Sequence, residues 1–355
     1  MSKKHNFGAG PCILPQDVFS EAAKAVVNFN GLSILEISHR SADFVAVMDE
    51  AQYLVKKALN VPDGYSVLFL QGGASLGFLI SAMNMARNNK KAAYVDTGAW
   101  STKAIKEAKN AGLQVEIIAT SKDKNFNYIP KNIKVDNTFD YIHITSNNTI
   151  FGTQFNTLPK FDIPVVCDMS SDIFSRKINV SNFDIIYAGA QKNLGPAGAT
   201  LYIVKDSILG KSSIDIPTYL NLKTHADKDS MFNTPPVFSI YVAMLNLRHL
   251  MKLGGVSVIE ETNQAKADLL YNEIDRNPLF KGVVEKEDRS NMNVTFVLTD
   301  ESLQDEFNQM WNNEGIEGLK GHRSVGGYRA SMYNALPLSS VEILVNVMKE
   351  FANKH

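Results

Sequence analysis

Short apolar runs alternate with amphipathic segments through the first two hundred residues. Seven runs have the length and composition of buried strands: 66–70, 92–95, 113–118, 141–145, 164–168, 184–188 and 198–204. Helical spacing of apolar residues follows early runs at 76–86 and 101–111. Strands that alternate with helices predict the α/β class, a mostly parallel seven-stranded sheet covered by helices. The last two runs have no helix between them, which predicts antiparallel neighbours.

Helices are also predicted outside this alternation. One begins at Pro15 and ends near Val27, and the next has apolar residues at helical spacing, namely Phe44, Val47, Met48, Ala51, Leu54, Val55 and Ala58. Long helices follow Pro235-Pro236 and cover 256–276. The pattern then changes to a strand at 293–298, a helix at 303–313, a strand near 328–332 and a last helix that opens with a capping box at 339–342. We place a domain boundary near Gly255, which predicts a large domain of residues 15–255 and a smaller α+β domain of residues 1–14 and 256–355.

Composition and charge exclude several classes of protein. The 355 residues carry a formal net charge of −1, which argues against binding to nucleic acid or a membrane surface. No apolar run approaches the ~18 residues of a membrane span, and no signal peptide follows the basic start. Two cysteines, Cys12 and Cys167, have neither disulfide nor metal spacing, which favours a reducing compartment. We therefore expect a cytoplasmic protein without a metal site.

A single lysine lies between the last two predicted strands. Lys192 has glycines and small residues on both sides, which let a bulky group approach the backbone. Burial beside two strands would lower the pKa of the amine and make it a nucleophile. This predicts a Schiff base with a carbonyl, supplied by a substrate or by pyridoxal phosphate. A lysine that ends a strand in a hairpin loop explains this stretch equally well.

A carboxylate lies at the end of the preceding predicted strand. Asp168 ends 164–168, and ligands of α/β sheets gather at the carboxyl ends of strands. A carboxylate paired with a pyridine nitrogen keeps that nitrogen protonated, so the ring can act as an electron sink. An aspartate that only caps the strand end is the alternative.

Weaker signals surround these two residues. The turn Gln71-Gly72-Gly73-Ala74-Ser75 opens a helix, where backbone N–H groups bind phosphate, unless it is only a tight turn. Trp100 could stack on an aromatic ligand, although packing at the sheet edge is the simpler interpretation. Further polar candidates are Thr149, Asn233 and Thr234.

Basic residues occur in three short stretches, His39-Arg40, His322-Arg323 and Arg329. Guanidinium groups bind carboxylate and phosphate through two hydrogen bonds at once. On a nearly neutral protein, arginines in glycine-containing loops therefore suggest a polyanionic substrate. Solvation at the surface is the alternative for each arginine taken alone.

Together these stretches resemble the phosphoserine aminotransferase family, which comprises pyridoxal phosphate enzymes of fold type I. The resemblance covers almost the whole chain. It lies in the order and spacing of residues 6–11, 37–41, 72–75, 96–100, 147–152, 168–171, 188–193, 233–236 and 321–323. One difference is Ser75, which stands where some members carry arginine, so fewer charges would hold the cofactor phosphate.

The resemblance implies roles for the candidates. Lys192 would form the Schiff base and carry a proton, Asp168 would pair with the pyridine nitrogen, Trp100 would stack on the ring, and Thr149 would bond beside it. The cofactor phosphate would be held by Ala74, Ser75 and Gln191, with Asn233 and Thr234 from the neighbouring subunit of a homodimer. Arg329 would bind the substrate α-carboxylate. The second anion of the substrate would be bound by His39, Arg40, His322 and Arg323.

The implied reaction is a reversible ping-pong transfer of an amino group between glutamate and 3-phosphohydroxypyruvate, a step of serine biosynthesis. A related substrate, 4-phosphohydroxythreonine of pyridoxine biosynthesis, is also implied. Two other hypotheses stay open. One is another reaction of the same fold, such as a glyoxylate-linked transamination or a desulfuration, although neither cysteine suits the latter. The other is a non-catalytic anion-binding protein.

Overall fold

The computed structural model describes residues 4–323 and 325–355. The strands are β1 (His5–Asn6), β2 (Tyr65–Leu70), β3 (Lys91–Asp96), β4 (Gln114–Thr120), β5 (Tyr141–Thr145), β6 (Val165–Asp168), β7 (Ile185–Gly189), β8 (Thr200–Lys205), β9 (Phe280–Gly282), β10 (Asn293–Leu298), β11 (Ile316–Glu317) and β12 (Tyr328–Ser331). The α-helices are α1 (Gln16–Val27), α2 (Ala42–Leu59), α3 (Gly73–Met85), α4 (Ala99–Asn110), α5 (Leu222–Ala226), α6 (Val237–Lys252), α7 (Val256–Arg276), α8 (Gln304–Asn313) and α9 (Leu338–Ala352).

A seven-stranded sheet lies at the centre of the molecule, with strand order β2-β8-β7-β6-β5-β3-β4. Neighbouring strands from β4 to β7 run parallel. Strand β8 runs antiparallel to both β7 and β2. The predicted α/β class, the seven strands and the antiparallel pair on either side of Lys192 are therefore confirmed.

Side chains alternate between the two faces of this sheet, as the two-residue period of a strand requires. In β6, Val165 and Cys167 pack with helices α1, α2 and α6. Val166 packs on the other face, with α3 and α4. Asp168 follows Val166 at this spacing, so the carboxylate lies on the α3 face, at the end where the parallel strands finish.

The helices begin and end largely where the apolar spacing predicts. In α2 every apolar position of the predicted stripe is buried. The Ser41 hydroxyl accepts a hydrogen bond from the Phe44 N–H at 3.4 Å, and the left-handed Asn60 ends the helix. Helix α7 has the predicted bounds. In the described part of the chain, no helix is both long and apolar enough to cross a membrane.

A second, three-stranded sheet has the order β12-β10-β9 and packs with α7, α8 and α9 around its own core. Strand β1 pairs in parallel with β11, and Phe7 and Ile13 join the same core. These contacts tie the first residues of the chain to its last hundred. They support the proposed division into residues 15–255 and residues 1–14 with 256–355, whose boundary stays a prediction.

Some details of the sequence-based prediction are wrong. The capping box at 339–342 is absent because α9 begins at Leu338, so Ser339 lies inside the helix and not at its N-cap. Helix α4 begins two residues earlier than predicted, so Trp100 lies inside its first turn. The two-residue strands β1 and β11 were not predicted, because so short a segment has no measurable periodicity.

A buried lysine connects the second core with the region of Lys192. Lys266 of α7 is fully buried, and its ammonium donates to three backbone carbonyls at 2.9, 2.9 and 3.1 Å, those of Met332, Tyr333 and Leu336. Burial lowers the pKa of Lys266 to about 7. In the same loop, the Asn334 N–H donates to Asn193 Oδ1 at 2.9 Å. The loop after β12 is therefore fixed to the residue that follows Lys192.

Candidate active site

Lys192 lies in the turn-rich connection between β7 and β8, residues 190–199. The turn closes with the N–H groups of Ala190 and Gly195, which donate to the carbonyls of Ala199 and Ala190. The Lys192 side chain is buried, and its Nζ donates to Thr149 Oγ1 at 2.6 Å. At Gly10, which has φ +148°, a Cβ would lie 3.5 Å from Lys192 Cγ, so the N-terminal loop packs directly on the lysine. The lysine is therefore buried and hydrogen-bonded, not solvated in a hairpin loop.

Burial also changes the acidity of this amine. It lowers the pKa of Lys192 to about 8, and the nearby Arg329 adds to the effect while Asp168 opposes it. A lysine with such a pKa is partly neutral near pH 7, and the neutral amine is the nucleophile. The site therefore gives Lys192 the property that Schiff-base chemistry requires.

Asp168 ends β6 and is buried beside this turn. One carboxylate oxygen accepts from the Ser170 N–H at 2.9 Å and from the Ser170 hydroxyl at 2.6 Å. The Ser170 hydroxyl in turn accepts from the Gly189 N–H at 3.1 Å. Burial raises the pKa of Asp168, while Lys192 and the bonds from Ser170 oppose that rise. The second oxygen has no hydrogen bond within the described residues and can face a ligand.

Trp100 and Thr149 complete the surroundings of the lysine. The Trp100 ring centroid lies 5.4 Å from Lys192 Nζ. Thr149 accepts from the lysine through its hydroxyl, and its carbonyl accepts from Arg329 Nη1 at 3.3 Å. Trp100 packs partly on the core of the α3 face, yet it also borders the lysine. The structure thus brings together Lys192, Asp168, Trp100, Thr149 and Arg329 from five separate stretches of sequence.

The turn at Gly72-Gly73, where α3 begins, lies against the loop that carries Lys192. Ala74 and Ser75 lie in the first helical turn, after Gly72 with φ +102°. A Cβ at Gly189 would lie 3.4 Å from the Ala74 backbone nitrogen and 2.7 Å from Gln191 Oε1. The helix N-terminus and Gln191 can therefore meet only because residue 189 has no side chain. N–H groups at such a helix start bind phosphate.

The pair Asn233 and Thr234 lies next to the same turn in its own chain. The Thr234 carbonyl accepts from Gln71 Nε2 at 3.0 Å. Asn233 is half-buried and Thr234 is exposed. The role of the pair at the phosphate of a neighbouring subunit stays a prediction.

The basic residues fall into two groups. Burial lowers the pKa of His322, and the positive charges of Arg329, Arg323 and Lys103 add to the effect, so these four side chains share one region. His39 and Arg40 precede α2, which packs on the sheet face opposite α3. Among the described residues, no hydrogen bond or ion pair joins His39 or Arg40 to Lys192, Asp168 or Arg329.

Several buried polar atoms around the site have no partner in the described structure: Trp100 Nε1, Thr145 Oγ1, Thr200 Oγ1, Tyr202 Oη and Arg329 Nε. In the sheet Thr145 pairs with Asp168, and Thr200 pairs with Gly189. Because buried polar groups are almost always hydrogen-bonded, the unpaired groups near Lys192 and Asp168 are available to a polar ligand. Pyridoxal phosphate has a pyridine nitrogen, a ring hydroxyl and a phosphate, which suit Asp168, these donors and the α3 turn.

Sequence reasoning missed Thr145, Thr200 and Ser170. Thr145 is the last residue of β5 and Thr200 the first of β8, so both lie at the same end of the sheet as Asp168. The sequence feature that could have identified Thr145 and Thr200 is a hydroxyl residue at the end of an otherwise apolar run. Ser170 follows Asp168 by two residues, the spacing of an aspartate whose side chain bonds its own backbone.

Comparison with known proteins agrees with this geometry. The family model of aminotransferase class-V matches residues 5–344. The chain is 61% identical to a phosphoserine aminotransferase of Flavobacterium psychrophilum over 99% of both chains. It is 56% identical to the phosphoserine aminotransferase of Parabacteroides distasonis, over 99% of this chain and 100% of that one.

Solved structures show the same likeness. A phosphoserine aminotransferase from Bacillus circulans subsp. alkalophilus superposes with a TM-score of 0.96, at 43% identity and over 99% of both chains. A phosphoserine aminotransferase from Trichomonas vaginalis with bound PLP superposes with a TM-score of 0.93, at 32% identity, over 98% of this chain and 100% of that one. From its sequence, its fold and its lysine–aspartate site, the chain belongs to the class-V aminotransferase family.

Proposed function

We propose that this protein is a pyridoxal phosphate-dependent transaminase that transfers an amino group between glutamate and 3-phosphohydroxypyruvate, the phosphoserine step of serine biosynthesis. The observation that carries the proposal is the buried Lys192 beside Asp168, with Arg329, His322 and Arg323 grouped nearby. Full-length relatives named phosphoserine aminotransferase support the choice of substrate.

Lys192 and Asp168 have separate roles in the proposed reaction. Pyridoxal phosphate supplies an electron-withdrawing pyridine ring, which acidifies the substrate Cα. Lys192 would hold the cofactor through its amine and would move the proton at the substrate Cα, for which its lowered pKa is suited. Thr149 orients the lysine Nζ. Asp168, held by Ser170, would keep the pyridine nitrogen protonated.

Both proposed amino donors and acceptors have two anionic ends. Arg329, fixed against the Thr149 carbonyl, binds the α-carboxylate. His322 and Arg323 bind the second anion, which is a carboxylate in glutamate and a phosphate in the phosphorylated substrate. The use of 4-phosphohydroxythreonine stays a prediction of the family resemblance. The same assay, run in turn with the keto-acid partner of each phosphorylated amino acid, tests each substrate.

We also propose a homodimer that shares its active sites. The basic pair His39-Arg40 makes no bond to the site of its own chain within the described residues, so another subunit would have to bring it there. Large apolar side chains are exposed near this pair, Leu32 at 55% and Leu35 at 62%. The free thiols Cys12 and Cys167 support a cytoplasmic location.

The two half-reactions provide the direct test of function. Glutamate should abolish the visible absorbance of the holoenzyme, and 3-phosphohydroxypyruvate should restore it, because the amino group is first stored on the protein-bound cofactor and then released. Arg323→Ala should lower the kcat/KM of the half-reaction with 3-phosphohydroxypyruvate about 10-fold or more, since it removes a charged hydrogen-bond donor. Lys192→Ala is the control and should show neither change. An absorbance that glutamate leaves intact would contradict the proposed function.

The pH dependence of cofactor capture tests the state of Lys192. In the cofactor-free protein, the rate of capture of pyridoxal phosphate, trapped by borohydride, should rise with pH about a midpoint near 8 because only the neutral amine reacts. Asp168→Asn should move that midpoint to lower pH, since the carboxylate raises the pKa of Lys192. A midpoint near that of an ordinary lysine, or an upward movement in Asp168→Asn, would overturn the assignment.

Co-expression of two inactive variants tests the shared site. Lys192→Ala and Arg40→Ala should each be nearly inactive. Their mixed dimers contain one intact site if Arg40 acts on the other subunit, so random mixing should restore about a quarter of the wild-type activity. Arg323→Ala mixed with Lys192→Ala is the matched control: because Arg323 acts within its own chain, the mixture should show no activity above that of Arg323→Ala alone. No gain in the first mixture would refute the shared site.

A further inference from the structure

Positive charges gather around Trp100. Lys192 Nζ lies 5.4 Å from the ring centroid, and Lys103 Nζ lies 4.3 Å from it. Arg329 reaches the same region from β12, because its Nη1 donates to the Thr149 carbonyl while the Thr149 hydroxyl accepts from Lys192. Lys103 and Lys192 therefore both border the Trp100 ring, although no sequence motif pointed to Lys103.

Lys103 also lies near the loop that contains His322 and Arg323, the residues proposed to bind the second anion of the substrate. Its charge is one of those that lower the pKa of His322, together with Arg329 and Arg323. Exposed charges interact appreciably only within about 10 Å at moderate salt. The Lys103 ammonium therefore lies near both Trp100 and the His322-Arg323 loop, the region in which we place the substrate's second anion.

The fold by itself gives little reason for this placement. In the described part of the chain, Lys103, Arg323 and Arg329 form no salt bridge with any carboxylate. Lys103 is the fifth residue of α4, in the half of the helix where the dipole offers a cation no favourable interaction. A cation–π contact of an exposed lysine contributes little stability. An unpaired cation set among other cations is instead what an anion-binding site requires.

We propose that Lys103 is a specificity-determining residue whose ammonium, with His322 and Arg323, binds the substrate phosphate and favours it over the side-chain carboxylate of glutamate. A phosphate dianion gains more than a carboxylate from an added cation, since the attraction scales with the product of the charges. This inference rests on the proposed function and deepens it. The side chain acts through charge at the second anion, and takes no part in proton transfer.

The test compares the two half-reactions in Lys103→Met holoenzyme. The kcat/KM for 3-phosphohydroxypyruvate should fall about 10- to 30-fold, and that for glutamate less than about 3-fold. Binding of pyridoxal phosphate should stay unchanged, and Lys103→Arg should keep most of the activity with the phosphorylated substrate. Lys106→Met is the matched control, because Lys106 is an exposed lysine of the same helix without a contact to Trp100, and neither rate should change.

Salt supplies a second readout. The KM of the wild-type enzyme for 3-phosphohydroxypyruvate should rise more steeply with ionic strength than that of Lys103→Met, since one charge of the pair has been removed. An equal loss for both substrates would show that Lys103 only supports the Trp100 ring, and would overturn the inference, as would no loss at all. Failure of the proposed function itself is distinct, because wild-type enzyme would then not turn over the phosphorylated substrate.

Discussion

The site depends on one desolvated pair of charges, Lys192 and Asp168. Burial alone would neutralise both groups, since it lowers the pKa of Lys192 and raises the pKa of Asp168. Their mutual attraction, and the two bonds from Ser170, oppose that tendency. The balance leaves a lysine that can become a nucleophile close to an aspartate that can stay ionised. Removing either member leaves the other as an isolated buried charge, which is costly.

The central sheet holds this pair in place. Strands β6 and β7 are parallel neighbours, and Asp168 lies opposite Tyr187 just before the chain turns at Gly189. Glycine at residue 189 leaves space for Gln191 and the Ala74 backbone, so the same turn that presents the lysine also meets the start of α3. From the other core, the loop held by Lys266 reaches Asn193. The site is thus built where both cores meet.

The sequence allowed much of this to be predicted. Periodicity located the seven strands and most helices because each buries a regular apolar face, and Lys192 and Asp168 stood out as charges at the ends of apolar runs. Trp100 could not be placed from the residues alone, since an indole at a sheet edge and one beside a ligand look identical in sequence. The roles of Thr145, Thr200 and Lys103 could not be predicted, because they depend on neighbours that are distant in the chain. His39 and Arg40 make no bond to the site within the described residues, so the part proposed for them would need a second subunit.

The most direct test of the account is the protonation state of the cofactor's pyridine nitrogen. Nitrogen-15 NMR of the protein loaded with labelled pyridoxal phosphate measures it through the chemical shift. If Asp168 stays ionised opposite this nitrogen, the wild-type protein should show a protonated nitrogen from about pH 6 to pH 9, and Asp168→Asn an unprotonated one. An unprotonated nitrogen in the wild type, or the same shift in both proteins, would contradict the central role of the Lys192–Asp168 pair.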